Sequence, residues 1–242
     1  QAEDGIRDCS VTEFRRVLFR SRPDARWSHG RPVTAQDFVR SYQRMLTPAL
    51  GAQYVSNFHS IVGAEEFSRG RLADFGAVGV KARDERTLEI RLRHPATFMP
   101  YYFTRTEFNP VPLDVIEKHG AVTAPGNRWT RAEHFVGNGP FVLKTWRSGQ
   151  RIVVARSPTY WDRARVKLDE IHFHPVDNPN VEERMFRAGQ LHITNAVPLS
   201  KIASYRRELP GSLRIDPYGG LYYYPMNPAR LTPQPKGGRR RG

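Results

Sequence analysis

Asn138-Gly139-Pro140-Phe141 and Ser157-Pro158-Thr159-Tyr160-Trp161-Asp162 bracket the stretch whose reading decides the fold. Between them, Phe141 to Trp146 and Arg151 to Arg156 are rich in β-formers. Arg147-Ser148-Gly149-Gln150 separates the two runs with turn residues. Two such runs joined by a short Gly-containing break predict a hairpin. The stretch holds no catalytic constellation and reads as a framework that positions one lobe against another. Asn138 and Gly139 are read as a backbone-shaping pair at that seam, and Trp161 belongs to the same framework.

Upstream, Trp27-Ser28-His29-Gly30-Arg31-Pro32-Val33 is a loop punctuated by Gly30 and Pro32. Thr34 and Asp37 form a capping-box-like helix start, with Asp in the place of the usual Glu. Phe38, Val39, Tyr42, Met45 and Leu46 then recur at helical spacing. Thr47-Pro48 ends the helix, because a residue before proline is driven out of the α region. Trp27 is expected to be a buried framework residue, since tryptophan buries so much area. Val78, Val80 and Ala82, and then Leu88, Ile90 and Leu92, alternate with polar residues or Gly79. That pattern predicts a second hairpin turning at 83–87. A short helix is expected over 113–119.

Downstream, 171–176 reads as a strand. Asn180 and Glu183 are expected to cap a helix through Met185, Phe186 and Ala188, stopped by Gly189. Further strands are expected at 191–194, 213–218 and 221–224, with a helix from Pro198 to near Leu209. Strands alternating with helices argue for an α/β lobe.

Several of these segments resemble the extracytoplasmic peptide-binding proteins of ABC importers, of the oligopeptide/dipeptide type (family 5). Residues 27–44 are similar to that family's "WSDGxPVTAxDFVxSxxR", with His29 at the usual Asp. Residues 79–95 are similar to "GVKAxDxxTLEVxLxxP". Asn138 to Phe141 and Ser157 to Asp162 resemble its "NG-P/A-aromatic" strand and "NPxYWD" turn, with Ser157 at the Asn. The resemblance covers about residues 26–228. It implies a mixed α/β, type II periplasmic-binding-protein-like fold of two lobes with an extra small domain. On that basis 22–136 supplies the small domain and 137–228 part of the first lobe. The second lobe is expected to lie outside this chain.

The resemblance also implies a function: capture of oligopeptides for import, with importer permease subunits as partners. The chain is expected to be a monomer, periplasmic or otherwise in the cell envelope, and to meet the membrane through the importer alone. No enzyme activity and no cofactor are implied. Peptide capture without sequence preference requires partners for the ligand's backbone groups, since leaving one buried and unpaired costs about 1–3 kcal/mol. The resemblance places two clusters beside the ligand cleft. One is Asn195 with the following Ala196, Val197 and Pro198. The other is Tyr222, Tyr223, Tyr224 and Asn227. Strand alternation sends Tyr222 and Tyr224 to one side and Tyr223 to the other, so core packing competes with ligand contact. Phe58 is a further candidate for the cleft wall, again with core packing as the competing reading.

Composition is that of an ordinary globular protein, and no G-x-S-x-G, phosphate-loop or Gly-rich dinucleotide motif occurs. Of 242 residues, 26% are charged and 39% hydrophobic, ordinary for a globular protein. The single cysteine, Cys9, excludes an internal disulfide or a multi-cysteine zinc site. His172 and His174 share a strand face, but no third ligand is spaced to join them, so no metal is expected. Glu65-Glu66 and Asp169-Glu170 read as solvated faces. The net charge of +14 is dispersed, without a nucleic-acid motif. Two alternatives stay open: a binder of another solute (metal chelate, sugar or opine) on the same fold, and a basic nucleic-acid-binding protein.

The two ends read differently from the middle. Residues 1–21 balance four acidic against four basic residues and carry no apolar signal core. They are expected to be a non-native, adaptor-like leader outside the fold. Residues 229–242 are rich in proline, glycine and arginine, and are expected to be a disordered, aberrant basic tail. A frameshift or truncation after Asn227 is the expected origin.

Overall fold

The computed structural model describes residues 15–217 and Gly220. The chain divides into two compact units, Gln1–Pro175 and Val176–Gly242. The change of domain expected at 136/137 falls within the first of them.

In the first unit, β1 (Arg16–Arg20), β2 (Val80–Ala82) and β3 (Thr87–Arg91) form an antiparallel sheet in the order β1-β3-β2. Val17 pairs with Ile90 and Phe19 with Leu88; Val80 pairs with Ile90 from the other side. The period-two alternation therefore puts Val17, Val80, Leu88 and Ile90 on the core face, where all four are buried. On the outer face, Glu89 is also buried, held by Arg83 at 2.6 Å and Arg16 at 3.8 Å. Residues 16–20 are thus part of the fold, which corrects their assignment to a leader outside it. Their Val17/Phe19 alternation is a strand signal hidden among arginines.

Helix α1 (Ala35–Leu46) lies on this sheet. It starts where Asp37 Oδ2 accepts the Thr34 N–H at 2.8 Å, the reciprocal half of a capping box. It stops at Thr47, extended before Pro48. Tyr42 and Leu46, one turn apart, are fully buried. α2 (Ala64–Ser68), α3 (Met99–Tyr102) and α4 (Leu113–Lys118) are short. The rings of Phe58 and Phe108 stack at 4.1 Å, with Tyr42 edge-on to Phe58 at 5.2 Å. Burial strongly raises the Tyr42 phenol pKa, and its hydroxyl donates to Phe108 O at 3.1 Å. Gly79 permits the closest approach in this core: a Cβ there would meet Arg91 O at 2.7 Å.

The second sheet of this unit has the order β4-β5-β6, all antiparallel: β4 (Phe141–Arg147), β5 (Arg151–Arg156) and β6 (Glu170–Phe173). The predicted hairpin is present. Gln150 N–H donates to Arg147 O at 3.0 Å, and Gly149 takes φ +69°, the left-handed value that glycine accepts without strain. A bulge between Leu143 and Thr145 shifts the register.

In the second unit, α5 (Pro179–Arg187) precedes α6 (Ile202–Glu208). The cap of α5 is Asn178, whose Oδ1 accepts the Asn180 N–H at 2.9 Å, and not Asn180. Asn followed by Pro is the better signal, since proline suits the first helical position. Residues 191–194 and 213–217 are not strands, contrary to expectation. Ile193 is 85% exposed, and no neighbouring strand pairs with either segment among the described residues. Residues 218 and 221–224, also expected in strands, lie outside the described residues.

Candidate functional site

Trp27 is 1% exposed, a buried framework residue as expected. It anchors a polar node that the sequence reading missed. Asp37 is almost wholly buried, and its Oδ2 accepts from Trp27 Nε1 at 3.2 Å as well as from Thr34 N. Arg31 donates to both Asp37 oxygens, Nη2 to Oδ1 at 2.8 Å and Nη1 to Oδ2 at 3.2 Å. The same Nη2 reaches Asp114 Oδ1, at 3.0 Å, on the first turn of α4. His29 Nε2 lies 3.2 Å from Asp114 Oδ2. Burial by itself would raise the Asp114 carboxyl, but the bonds from Arg31 and His29 outweigh it and hold the group below its ordinary value. The tryptophan loop, the start of α1 and the start of α4 are thereby tied at one point. Arg31 and Asp37, opposite charges on either side of the helix start, were the signal that could have revealed it.

The same loop grips the seam. Ser28 N–H donates to Gly137 O at 2.8 Å, and Gly137 N–H donates back to Ser28 Oγ at 3.3 Å. Asn138 is exposed and Gly139 has open space around it. Beyond them, Ser157 N–H donates to Pro140 O at 2.8 Å, and Ser157 is 1% exposed. Trp161 is 41% exposed and carries the Arg22 guanidinium 3.7 Å above its ring. None of these groups forms an acid–base or nucleophilic couple.

The candidate ligand residues are not brought together. Phe58 is fully buried and stacked on Phe108, so it belongs to the core and lines no cleft; this corrects its assignment as a ligand residue. Asn195 is exposed, in the second unit, with its backbone N–H fixed by Glu182 Oε1 at 2.7 Å. Its side-chain carboxamide carries a donor and an acceptor together. Tyr222, Tyr223, Tyr224 and Asn227 lie outside the described residues. The second unit is braced by Glu183, which accepts from Arg187 Nε at 2.6 Å and from Tyr205 Oη at 3.0 Å. The bond from Arg187 is the main cause holding the Glu183 carboxyl below its ordinary value.

Among the described residues, no group of three or more His, Cys, Asp and Glu side chains is placed to hold a metal ion. His172 Nε2 instead lies 3.0 Å from Glu170 Oε2. No described helix is long and apolar enough to cross a membrane.

The model of the bacterial extracellular solute-binding proteins, family 5, matches residues 15–238. The match runs beyond 26–228 at both ends. The chain is 35% identical over 212 residues to the periplasmic oligopeptide-binding protein OppA of Escherichia coli, covering 86% of this chain and 38% of that protein. It is 35% identical over 216 residues to the probable deoxycholate-binding periplasmic protein YgiS of the same species, covering 88% and 39%. The structure of Haemophilus influenzae OppA in complex with RPPGFSPFR superposes with a TM-score of 0.76 at 30% identity, over 82% of this chain and 38% of that one. The Escherichia coli murein tripeptide-binding protein MppA superposes with a TM-score of 0.74 at 30% identity, over 82% and 38%. The chain therefore spans less than two-fifths of the length of OppA and of YgiS from Escherichia coli.

Proposed function

The chain belongs to the bacterial extracellular solute-binding proteins of family 5, and from that premise we propose that it is part of an oligopeptide receptor serving an ABC importer. The observation that carries this reading is the likeness, in sequence and in fold, to peptide-binding relatives over more than four-fifths of the chain. The Trp27–Asp37–Asp114 node and the Ser28–Gly137 pair fit a rigid frame whose task is placement, not chemistry. Asn195 is the peptide-binding candidate among the described residues; Tyr222, Tyr223, Tyr224 and Asn227 are proposed with it. An extracytoplasmic location, a monomeric state and permease partners follow from the same reading.

We further infer that peptide capture requires polypeptide that this chain does not contain. Leu168 and Phe173 in the first unit are 58% and 51% exposed, and Ile193 and Leu199 in the second are 85% and 87% exposed. Each unit thus leaves single apolar side chains exposed, and the chain spans 38% of the length of OppA; both fit a site completed by further polypeptide. The solutes for which these relatives are named also differ, oligopeptide for OppA and deoxycholate for YgiS. Solute class is therefore set by details that overall similarity over the shared stretch does not reveal. Calorimetric titration of the 242-residue chain with a mixed tripeptide and pentapeptide pool tests the proposal. Weak or absent binding by this chain, with micromolar binding by a chain extended to the full family length, is expected. Micromolar binding by the 242-residue chain would overturn the need for further polypeptide. Failure of the extended chain to bind any peptide would overturn the peptide reading.

A further inference from the structure

Asn138-Gly139 is the single Asn-Gly step among the eight asparagines of the chain. An asparagine loses its amide nitrogen when the next backbone nitrogen closes on its side-chain carbon. The closure needs an N–H on that nitrogen, an unheld carboxamide, and little bulk on the following residue. Asn109, Asn178 and Asn227 precede proline, whose nitrogen carries no proton. Asn57 donates to Glu107 Oε1 at 2.6 Å. Asn127 donates to Ile116 O at 3.1 Å and accepts the Trp129 N–H at 3.1 Å, so both carboxamides are held. Asn180 and Asn195 precede Val181 and Ala196, each with a Cβ in the way.

Asn138 meets every requirement. It is exposed, and no hydrogen bond among the described residues holds its carboxamide or the Gly139 N–H. Gly139 has no Cβ, and one added there would meet no atom within 4 Å. The step also lies between two anchored points. Gly137 O accepts the Ser28 N–H at 2.8 Å, and the Gly137 N–H donates to Ser28 Oγ at 3.3 Å. Pro140 O accepts the Ser157 N–H at 2.8 Å.

We propose that Asn138 is a self-modification site at the seam: it deamidates through a cyclic imide with Gly139, and the isoaspartate formed loosens both anchors. The bond from Gly139 N to Asn138 Cγ forms and the bond from Cγ to the amide nitrogen breaks. The Gly139 amide proton leaves with that nitrogen as ammonia. Water then opens the imide at either carbonyl, giving aspartate or isoaspartate. Water enters, ammonia leaves, and no oxidant, reductant or cofactor takes part. Isoaspartate carries the chain through its side-chain carbon and so adds one methylene to the backbone between Gly137 and Pro140. The anchors fit the shorter path. The site shares no residue with those proposed for peptide, and it stands or falls independently of that reading.

The test is to age the 242-residue chain at mildly alkaline pH and map its peptides by mass spectrometry. The peptide containing Asn138 is expected to gain the mass of NH2 replaced by OH before any other asparagine does. Two chromatographic forms are expected, and an endoprotease that cuts before aspartate opens one of them. Gly139→Ala, which the open space accommodates, is expected to lose both products over the same incubation. By NMR, the Ser28 and Ser157 amide protons are expected to exchange faster in the aged chain than in the fresh one. Asn138→Asp adds the charge without the methylene and is expected to keep the fresh rates. An Asn138 still intact after another asparagine has converted, a single aspartate form, or undiminished conversion in Gly139→Ala would each overturn the modification. Unchanged exchange of both amides in the aged chain, or equally fast exchange in Asn138→Asp, would overturn the loosening of the seam.

Discussion

Residues 16–116 and residues 141–217 are similar in their secondary structure and opposite in their packing. The first stretch buries apolar side chains from Val17 to Ile116, on both sides of α1 and across the β1-β3-β2 sheet. In the second, Val153 and Tyr205 are the buried apolar side chains among the described residues. Trp146, Leu168, Phe173, Ile193, Leu199 and Ile215 are all more than half exposed there. The difference lies in partners. A three-stranded sheet with α1 laid on it closes a core. The β4-β5-β6 sheet is hydrogen-bonded along its strands apart from one bulge, yet it half-buries most of its apolar side chains and leaves Trp146 and Phe173 open. Hydrogen-bonded strands are therefore a poor guide to which region is finished, and burial is the better one.

The largest expected effect is in the finished region. Phe108→Ala and Leu46→Ala each remove a fully buried side chain and are expected to cost about 3–5 kcal/mol in urea unfolding. Trp146→Ala and Phe173→Ala, at exposed positions, are expected to stay within about 0.5 kcal/mol. Equal costs in the two sets would erase the contrast. Asp37→Ala leaves the Trp27 and Thr34 donors without their shared acceptor, and about 2–3 kcal/mol is expected by the same measurement. Gly79→Ala forces a Cβ against Arg91 O. A cost of about 1–3 kcal/mol is expected, with the β2–β3 amides losing exchange protection first.

The smallest effect is electrostatic and belongs to the open region. The bonds from Lys144 and His172 hold Glu170 at a pKa of about 2, below its ordinary 4.5. A depressed carboxyl favours the fold above its unfolded value and loses that contribution as pH falls from about 4.5 towards 2. Lys144 is 59% exposed, so the contribution to stability is small. Carboxyl-detected NMR titration of Lys144→Ala is expected to show the Glu170 midpoint moving back up towards 4.5. An unmoved midpoint would remove Lys144 as the cause.

What was legible in the sequence was local. The α1 boundaries follow from Thr34 with Asp37 and from Thr47 before Pro48. Both hairpins follow from alternation broken by turn residues. Strand β1 was missed because its meaning depends on β3, some seventy residues away, and because arginines flank its apolar pair. Residues 191–194 and 213–217 were misread for the converse reason: alternation at Leu191/Ile193 and at Leu213/Ile215 suits a strand, but a strand needs a neighbour to pair with. The polar node escaped because Asp37 was assigned a single task, capping α1. It also receives Trp27 and Arg31 and is linked through Arg31 to Asp114. The candidate ligand residues divide along the same line. Phe58 is absorbed by the closed core, while Asn195 lies exposed in the open region.

Hydrogen–deuterium exchange on the intact 242-residue chain, resolved by peptide, tests the contrast most directly. Exchange reports local opening, which is rare in closely packed segments and frequent where apolar contacts are few. Strong protection is expected for α1 and the β1-β3-β2 sheet, with exchange faster by orders of magnitude in β4, β5, β6 and α5. Equal protection in the two regions would contradict the account.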